Sequence, residues 1–253
     1  MEPWFQVPYS LVKGPLPRKT VSDAPLRLPT ANPYLPEKLD LVAADTQTMQ
    51  RVIDKPELTL WLDTDVDFGT PRANMTVSLL VEDGFIDAAD RAQAQLYRRL
   101  VDDALSATIY PAYLAGLGYS IGVGDSGFSV SVNGYQDKQM ALLATVTEQL
   151  FRADISAERF ATLKSSLIKD WRNSLKDKPY TQAIGALSDL MISSSWPATT
   201  LADALEPVTR DDLLQWRSQR LKRVGVIAAL HGNVTSADAC LLYTSDAADE
   251  TTG

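Results

Sequence analysis

Residues Leu26–Val42 read LRLPTANPYLPEKLDLV, and how this stretch is parsed decides the reading of everything on either side of it. Pro25, Pro29, Pro33 and Pro36 each fix their own φ and bias the residue before them toward extended backbone, so the segment is neither helix nor central strand. It predicts a stiff connector laid along a surface, a strap between domains. Ahead of it, EPWFQVPYSLVKGPLP at 2–17 has the character of the end of a preceding unit, and Met1 reads as an internal residue, so any export signal would lie upstream. The expected divisions are 1–25 as that preceding end, 26–56 as connector, 57–239 as one domain and 240–253 as a tail apart.

Beyond the connector the periodicities are regular. Glu57–Asp63 (ELTLWLD) and Ala73–Val81 (ANMTVSLLV) alternate well enough for two strands, expected to pair antiparallel. From Asp87, a plausible N-cap, the apolar stripe Ala92, Leu96, Leu100, Val101 and Leu105 predicts a long amphipathic helix to about Thr108. Ile109–Leu117 then reads as a short second helix with Pro111 in its first turn. Tyr119–Val123 and Phe128–Val132 form a hairpin around Asp125, Ser126 and Gly127. Helices follow over Asp137–Phe151, from Ser156 through Arg159–Leu175, over Tyr180–Ser193 behind Pro179, and over Arg210–Arg220 behind Thr209. Val224–Leu230 (VGVIAAL) closes the series as a buried central strand. The order predicts an α+β fold, a mainly antiparallel sheet with helices packed on one face.

Composition narrows the partners. The 253 residues are 45% hydrophobic and carry 24 Lys and Arg against 32 Asp and Glu, a formal net charge of −8. That describes a globular chain without the basic stripe that nucleic acid requires. No apolar run approaches the roughly 20 residues that span a bilayer. The sequence from Cys240, CLLYTSDAADE, lacks periodicity and resembles the translated read-through of a sequencing adapter. It contains the only cysteine. Without it no disulfide, thiolate metal site or cysteine nucleophile is available, and cysteine usage says nothing of compartment.

Several short motifs invite chemistry and fail on context. Gly122, Gly124 and Gly127 fit G-x-G-x-x-G, but a dinucleotide loop must open a helix whose amides receive pyrophosphate, and here a strand follows. A hairpin turn is the better reading. The same residues spell G-D-S-G around Ser126, yet the only histidine, His231, comes about a hundred residues later, the reverse of the trypsin-like order. Asp63, Asp65 and Asp67 alternate like the opening of a calcium loop, but Phe68 and Asn74 stand where glycine and glutamate belong. Asp67-Phe68-Gly69 matches a kinase triplet with none of its surroundings. A lone His231 closing an apolar strand reads as structural, and Trp4, Trp61, Trp171, Trp196 and Trp216 as core or interface aromatics.

Four segments, LPTANPYLP, YPAYLAGLGYSI, NGYQDKQ and AALHGNVT, stand in the order and spacing that resemble the insulin-degrading enzyme and pitrilysin family of inverzincin peptidases. The resemblance covers about Leu26 to Ala239 and falls on that family's third, non-catalytic domain. It implies a parent protein of four related α+β domains in two halves, closing around peptide substrates, with zinc held elsewhere. Inverzincin chemistry needs H-x-x-E-H, two imidazoles one helical turn apart with a glutamate between, and one histidine cannot supply it. The resemblance therefore assigns no catalytic, metal-binding or cofactor-binding residue to this chain. It implies the other domains of the polypeptide and enclosed peptides as partners; the compartment is left unknown, with a periplasmic or cytoplasmic bacterial protein the favoured expectation. Two other classes stay open: a non-enzymatic scaffold of the same fold, and a serine hydrolase built on Ser126.

Overall fold

The structure, a computed structural model, describes residues 4, 6–10, 14, 30–43, 48–65, 67–192 and 194–239. Residues 1–31 and 32–253 are separate compact units. The first is described only at Trp4, at 6–10, at Gly14 and at 30–31, where it holds neither helix nor strand. Pro25, Pro29 and the tail from Cys240 lie outside the described residues.

In the second unit, six strands form one sheet in the order β1-β2-β6-β3-β5-β4. They are β1 (Gln50–Lys55), β2 (Leu58–Thr64), β3 (Arg72–Val81), β4 (Gly118–Val123), β5 (Gly127–Tyr135) and β6 (Val224–Gly232). All neighbours are antiparallel except β2 and β6, which run parallel. The expected pairing of the strand at 57–63 with that at 73–81 is thus corrected: β6 enters between them and bonds to both. β1 was not foreseen, because QRVIDK offers only Val52 and Ile53 as apolar residues and lies within the stretch assigned to the connector.

One sheet face is the core. Alternate residues Ala73, Met75, Val77, Leu79 and Val81 of β3 are buried, in register with Phe128, Val130 and Val132 of β5. Against them lies α1 (Ala88–Leu114), whose buried Ala92, Leu96, Leu100, Val101 and Leu105 form the anticipated stripe. The Asp87 side chain accepts from the Asp90 amide at 2.8 Å and caps it. The helix runs through Pro111 instead of breaking before it. Ile109 and Ala112 continue the buried stripe, and a proline so near the end forfeits only one interior hydrogen bond. Tyr97, fully buried, donates its hydroxyl to the Leu150 carbonyl at 2.6 Å, and burial raises its phenol pKa.

After a 3₁₀ turn at Gln136–Lys138 come α2 (Gln139–Arg152) and α3 (Ala157–Asn173). Ser156 caps α3, accepting from the Arg159 amide at 3.2 Å. Next are α4 (Pro179–Met191), α5 (Ala198–Leu205), which the sequence did not reveal, and α6 (Arg210–Arg220). Thr209 and Asp212 close a reciprocal capping box on α6. A second such box joins Thr235 to Asp238, and 236–239 turn helical where a helix was expected.

Residues 32–42 are laced onto this body. Asn32 donates to the Pro111 carbonyl at 2.7 Å, and the Tyr34 hydroxyl meets that of Thr145 at 3.3 Å. The Glu37 and Lys38 amides donate to one Asp137 oxygen at 2.8 and 3.3 Å. Asn233 accepts from the Val42 amide at 2.8 Å and donates to the Asp40 carbonyl at 3.0 Å. These contacts give the NPYLPEKLDLV segment a fixed path despite the exposure of Leu35, Leu39 and Leu41.

Candidate functional site

The sheet face turned away from α1 carries the residues that the core leaves over. Strand register arranges them in rows. One row reads Asp63, His231, Asn74, Asn133, Gly118; the next, two residues along each strand, reads Trp61, Ala229, Thr76, Ser131, Ser120. A third reads Thr59, Ile227, Ser78, Ser129, Gly122. Within these three rows, the side chains between Trp61 and the β4 edge are small or polar apart from Ile227. The Thr76 and Ser131 hydroxyls bond across the face at 3.0 Å. Such a face presents hydroxyl and amide groups at strand spacing.

The first row forms the only histidine's surroundings. His231 Nδ1 lies 2.9 Å from Asp63 Oδ2, with the imidazole about half exposed. This bond fixes one ring nitrogen. Asp65, Arg72, Asn74 and Asn133 line the adjoining cleft of about 290 Å³ with His231. The Arg72 guanidinium sits over the Tyr135 ring at 5.2 Å. On the core side of the same corner, fully buried Gln139 donates to the Ala73 and Gly134 carbonyls at 2.6 and 2.8 Å. A larger cavity of about 590 Å³ follows α3 beside Phe160, Ile168 and Arg172, on the helical side of the molecule.

The individually suspected residues separate. Ser126 sits in the β4–β5 turn and gives its carbonyl to the Val81 amide at 2.9 Å. That turn adjoins the Leu80–Gly225 end of the sheet, whereas His231 pairs with Asn74 six residues along β6. At about 3.3 Å per residue the two are on the order of 20 Å apart, so Ser126 and His231 form no nucleophile and base. The three acids also part company. Asp63 takes His231, while Asp65 Oδ1 accepts from the Asp67 and Phe68 amides at 2.9 and 3.3 Å, closing its own turn. Among the described residues no three His, Cys, Asp or Glu side chains converge as metal ligands. Gly122, Gly124 and Gly127 make a hairpin: the Gly124 amide donates to the Gly127 carbonyl at 2.8 Å, and Gly127 alone of the three takes a positive φ, +148°.

Sequence reasoning singled out Asp63 and His231 separately and missed their pairing. They are 168 positions apart and meet only because β6 returns beside β2. It also missed Asn74 and Asn133, which carry no local signal. The arrangement can donate and accept hydrogen bonds to an extended polar ligand, and it contains no activated nucleophile.

The family described as "Middle or third domain of peptidase_M16" matches residues 1–204. The chain is 29% identical over 245 residues to the peroxisomal insulin-degrading enzyme-like 1 of Arabidopsis thaliana, covering 94% of this chain and 25% of that protein. It is 30% identical over 212 residues to the insulin-degrading enzyme of Homo sapiens, covering 83% of this chain and 21% of that one. The crystal structure of pitrilysin shares the fold, with a TM-score of 0.79 at 23% identity, over 86% of this chain and 23% of that chain. The chain thus spans about a quarter of the length of the proteins it matches.

Proposed function

This chain belongs to the peptidase M16 family as its middle, or third, domain, and we propose that it serves as a non-catalytic wall of a zinc metalloendopeptidase that encloses peptides. The observation that carries the reading is the agreement of a middle-domain match over residues 1–204 with a chain holding one histidine. The donor set does not fit zinc: a typical peptidase site joins two or more imidazoles, and the sequence holds a single histidine, His231. Zinc, where the parent protein uses it, belongs to residues outside this chain.

The small, hydroxyl- and amide-bearing sheet face supports the role of a wall. It offers an enclosed peptide hydrogen-bonding groups without a reactive one, and enclosure restrains substrates near a distant reacting centre. The names of the relatives favour a peptidase over a scaffold, since they are degrading enzymes.

The test is made on the full-length parent protein and on the 253-residue chain side by side, with zinc analysis and a quenched fluorogenic peptide. The expected outcome is stoichiometric zinc and chelator-sensitive cleavage in the parent, with neither in the chain alone. A parent sequence without H-x-x-E-H, or turnover by the chain that Ser126→Ala abolishes, overturns the proposal.

A further inference from the structure

Helix α4 stands out from every other helix of eight or more residues because none of its residues is buried. Its composition is apolar all the same. Tyr180, Ile184, Leu187 and Met191 are 63%, 62%, 55% and 76% exposed. Spaced four, three and four apart, they share an arc of about 60° on a helix turning 3.6 residues per turn, the geometry of an a/d seam. The far side of the helix is the one bonded to the turns that flank it. Gln182 donates to the Leu175 and Asp177 carbonyls at 3.2 and 2.7 Å, and Asp189 accepts from the Ser195 hydroxyl at 2.6 Å. The seam therefore faces outward, and a soluble domain does not leave such a stripe in water.

Resting on the assignment to a longer peptidase, we propose that α4 is the docking helix of this domain, and that its occupant is an apolar helix from another part of the same parent polypeptide. Three observations choose that occupant. The relatives are about four times as long as this chain, so most of the polypeptide that can reach α4 lies outside it. The helix, PYTQAIGALSDLM, contains no Lys or Arg and one Asp, which removes the basic polar face that a membrane-surface helix needs. A seam without flanking charges also lacks the pairs that select a free partner in register, and instead matches the apolar, permanent type of interface.

Oxidative footprinting of Tyr180 and Met191 tests this in the full-length protein and in the 253-residue chain. The expected result is ready labelling in the chain and protection in the full-length monomer, unchanged on dilution. The double substitution Ile184→Glu with Leu187→Glu should leave the melting temperature of the chain within about 1 °C, because both side chains are more than half exposed there, and lower that of the full-length protein by roughly 3 °C or more. Protection that vanishes on dilution would point to a second copy, and labelling equal in both proteins would show an uncovered helix. Either result overturns the proposal. Zinc content and peptide turnover, measured on the same samples, report separately on the peptidase assignment.

Discussion

Asp90 is buried on the first turn of α1, and three donors converge on it. The Trp216 indole donates at 2.7 Å and Arg220 Nε at 3.0 Å, both to Oδ1, and Arg220 Nη2 reaches Oδ2. The triad ties α1 to α6, and the Phe85 ring stacks on the same indole at 5.9 Å. Replacing Asp90 with alanine strands a guanidinium and an indole N–H, so Asp90→Ala should cost about 3 kcal/mol in urea unfolding, the lower end for a broken buried pair because Arg220 keeps some exposure. Asp137 acts on the strap. The Glu37 amide, the Lys38 amide and the Lys138 ammonium hold its carboxyl below the usual carboxylate range. A carboxyl whose pKa is lower folded than unfolded stabilises fully above the unfolded value of about 3.9 and loses that effect as pH falls through the folded value. Below about pH 4 the strap should therefore loosen, seen as faster amide exchange at Glu37 and Lys38, and Asp137→Ala should produce the same change at neutral pH.

Among the elements, what the sequence disclosed was local chemistry. Ser156 and Thr209 are side-chain caps with a donor three residues on, and both helices start where those residues stand. Pro111 misled because the rule against interior prolines is weakest in a last turn, and the buried stripe there outweighs it. β1 was hidden by its polar composition, and the neighbours of β6 are a matter of topology that no short window contains. The His231–Asp63 pair was illegible for the same reason. Two glycines show how element context sets the sign of one substitution. A Cβ on Gly127 would lie 2.0 Å from the Leu79 carbonyl oxygen at a φ of +148°, so Gly127→Ala should destabilise by about 3 kcal/mol. A Cβ on Gly185, inside α4, meets nothing within 4 Å, so Gly185→Ala should stabilise by about 0.5–1 kcal/mol. Thermal melts of the two variants beside the unchanged chain check both signs.

For the molecule as a whole, residues 240–253 offer a simple measurement. If they are foreign to the fold, deleting Cys240–Gly253 should leave the melting temperature within about 1 °C, since a tail without apolar periodicity buries little area. A clear fall would show that the tail extends the helix begun at Ser236 and covers Val234 and Ala239, both buried. The parallel β2–β6 contact has a consequence for how the chain is made. β1 and β2 emerge early and pair with each other, and β3, β4 and β5 can assemble as a second ribbon, yet these halves share no strand-to-strand bond until β6 arrives. During translation β2 and β3 both keep an open edge while the roughly 140 residues between β3 and β6 are synthesised, the interval in which unpaired strands recruit other nascent chains. At about 5–20 residues per second that interval lasts on the order of ten seconds. The last of these six strands to be synthesised is thus the keystone of the sheet, and a nascent chain stalled before Val224 leaves two strand edges unpaired.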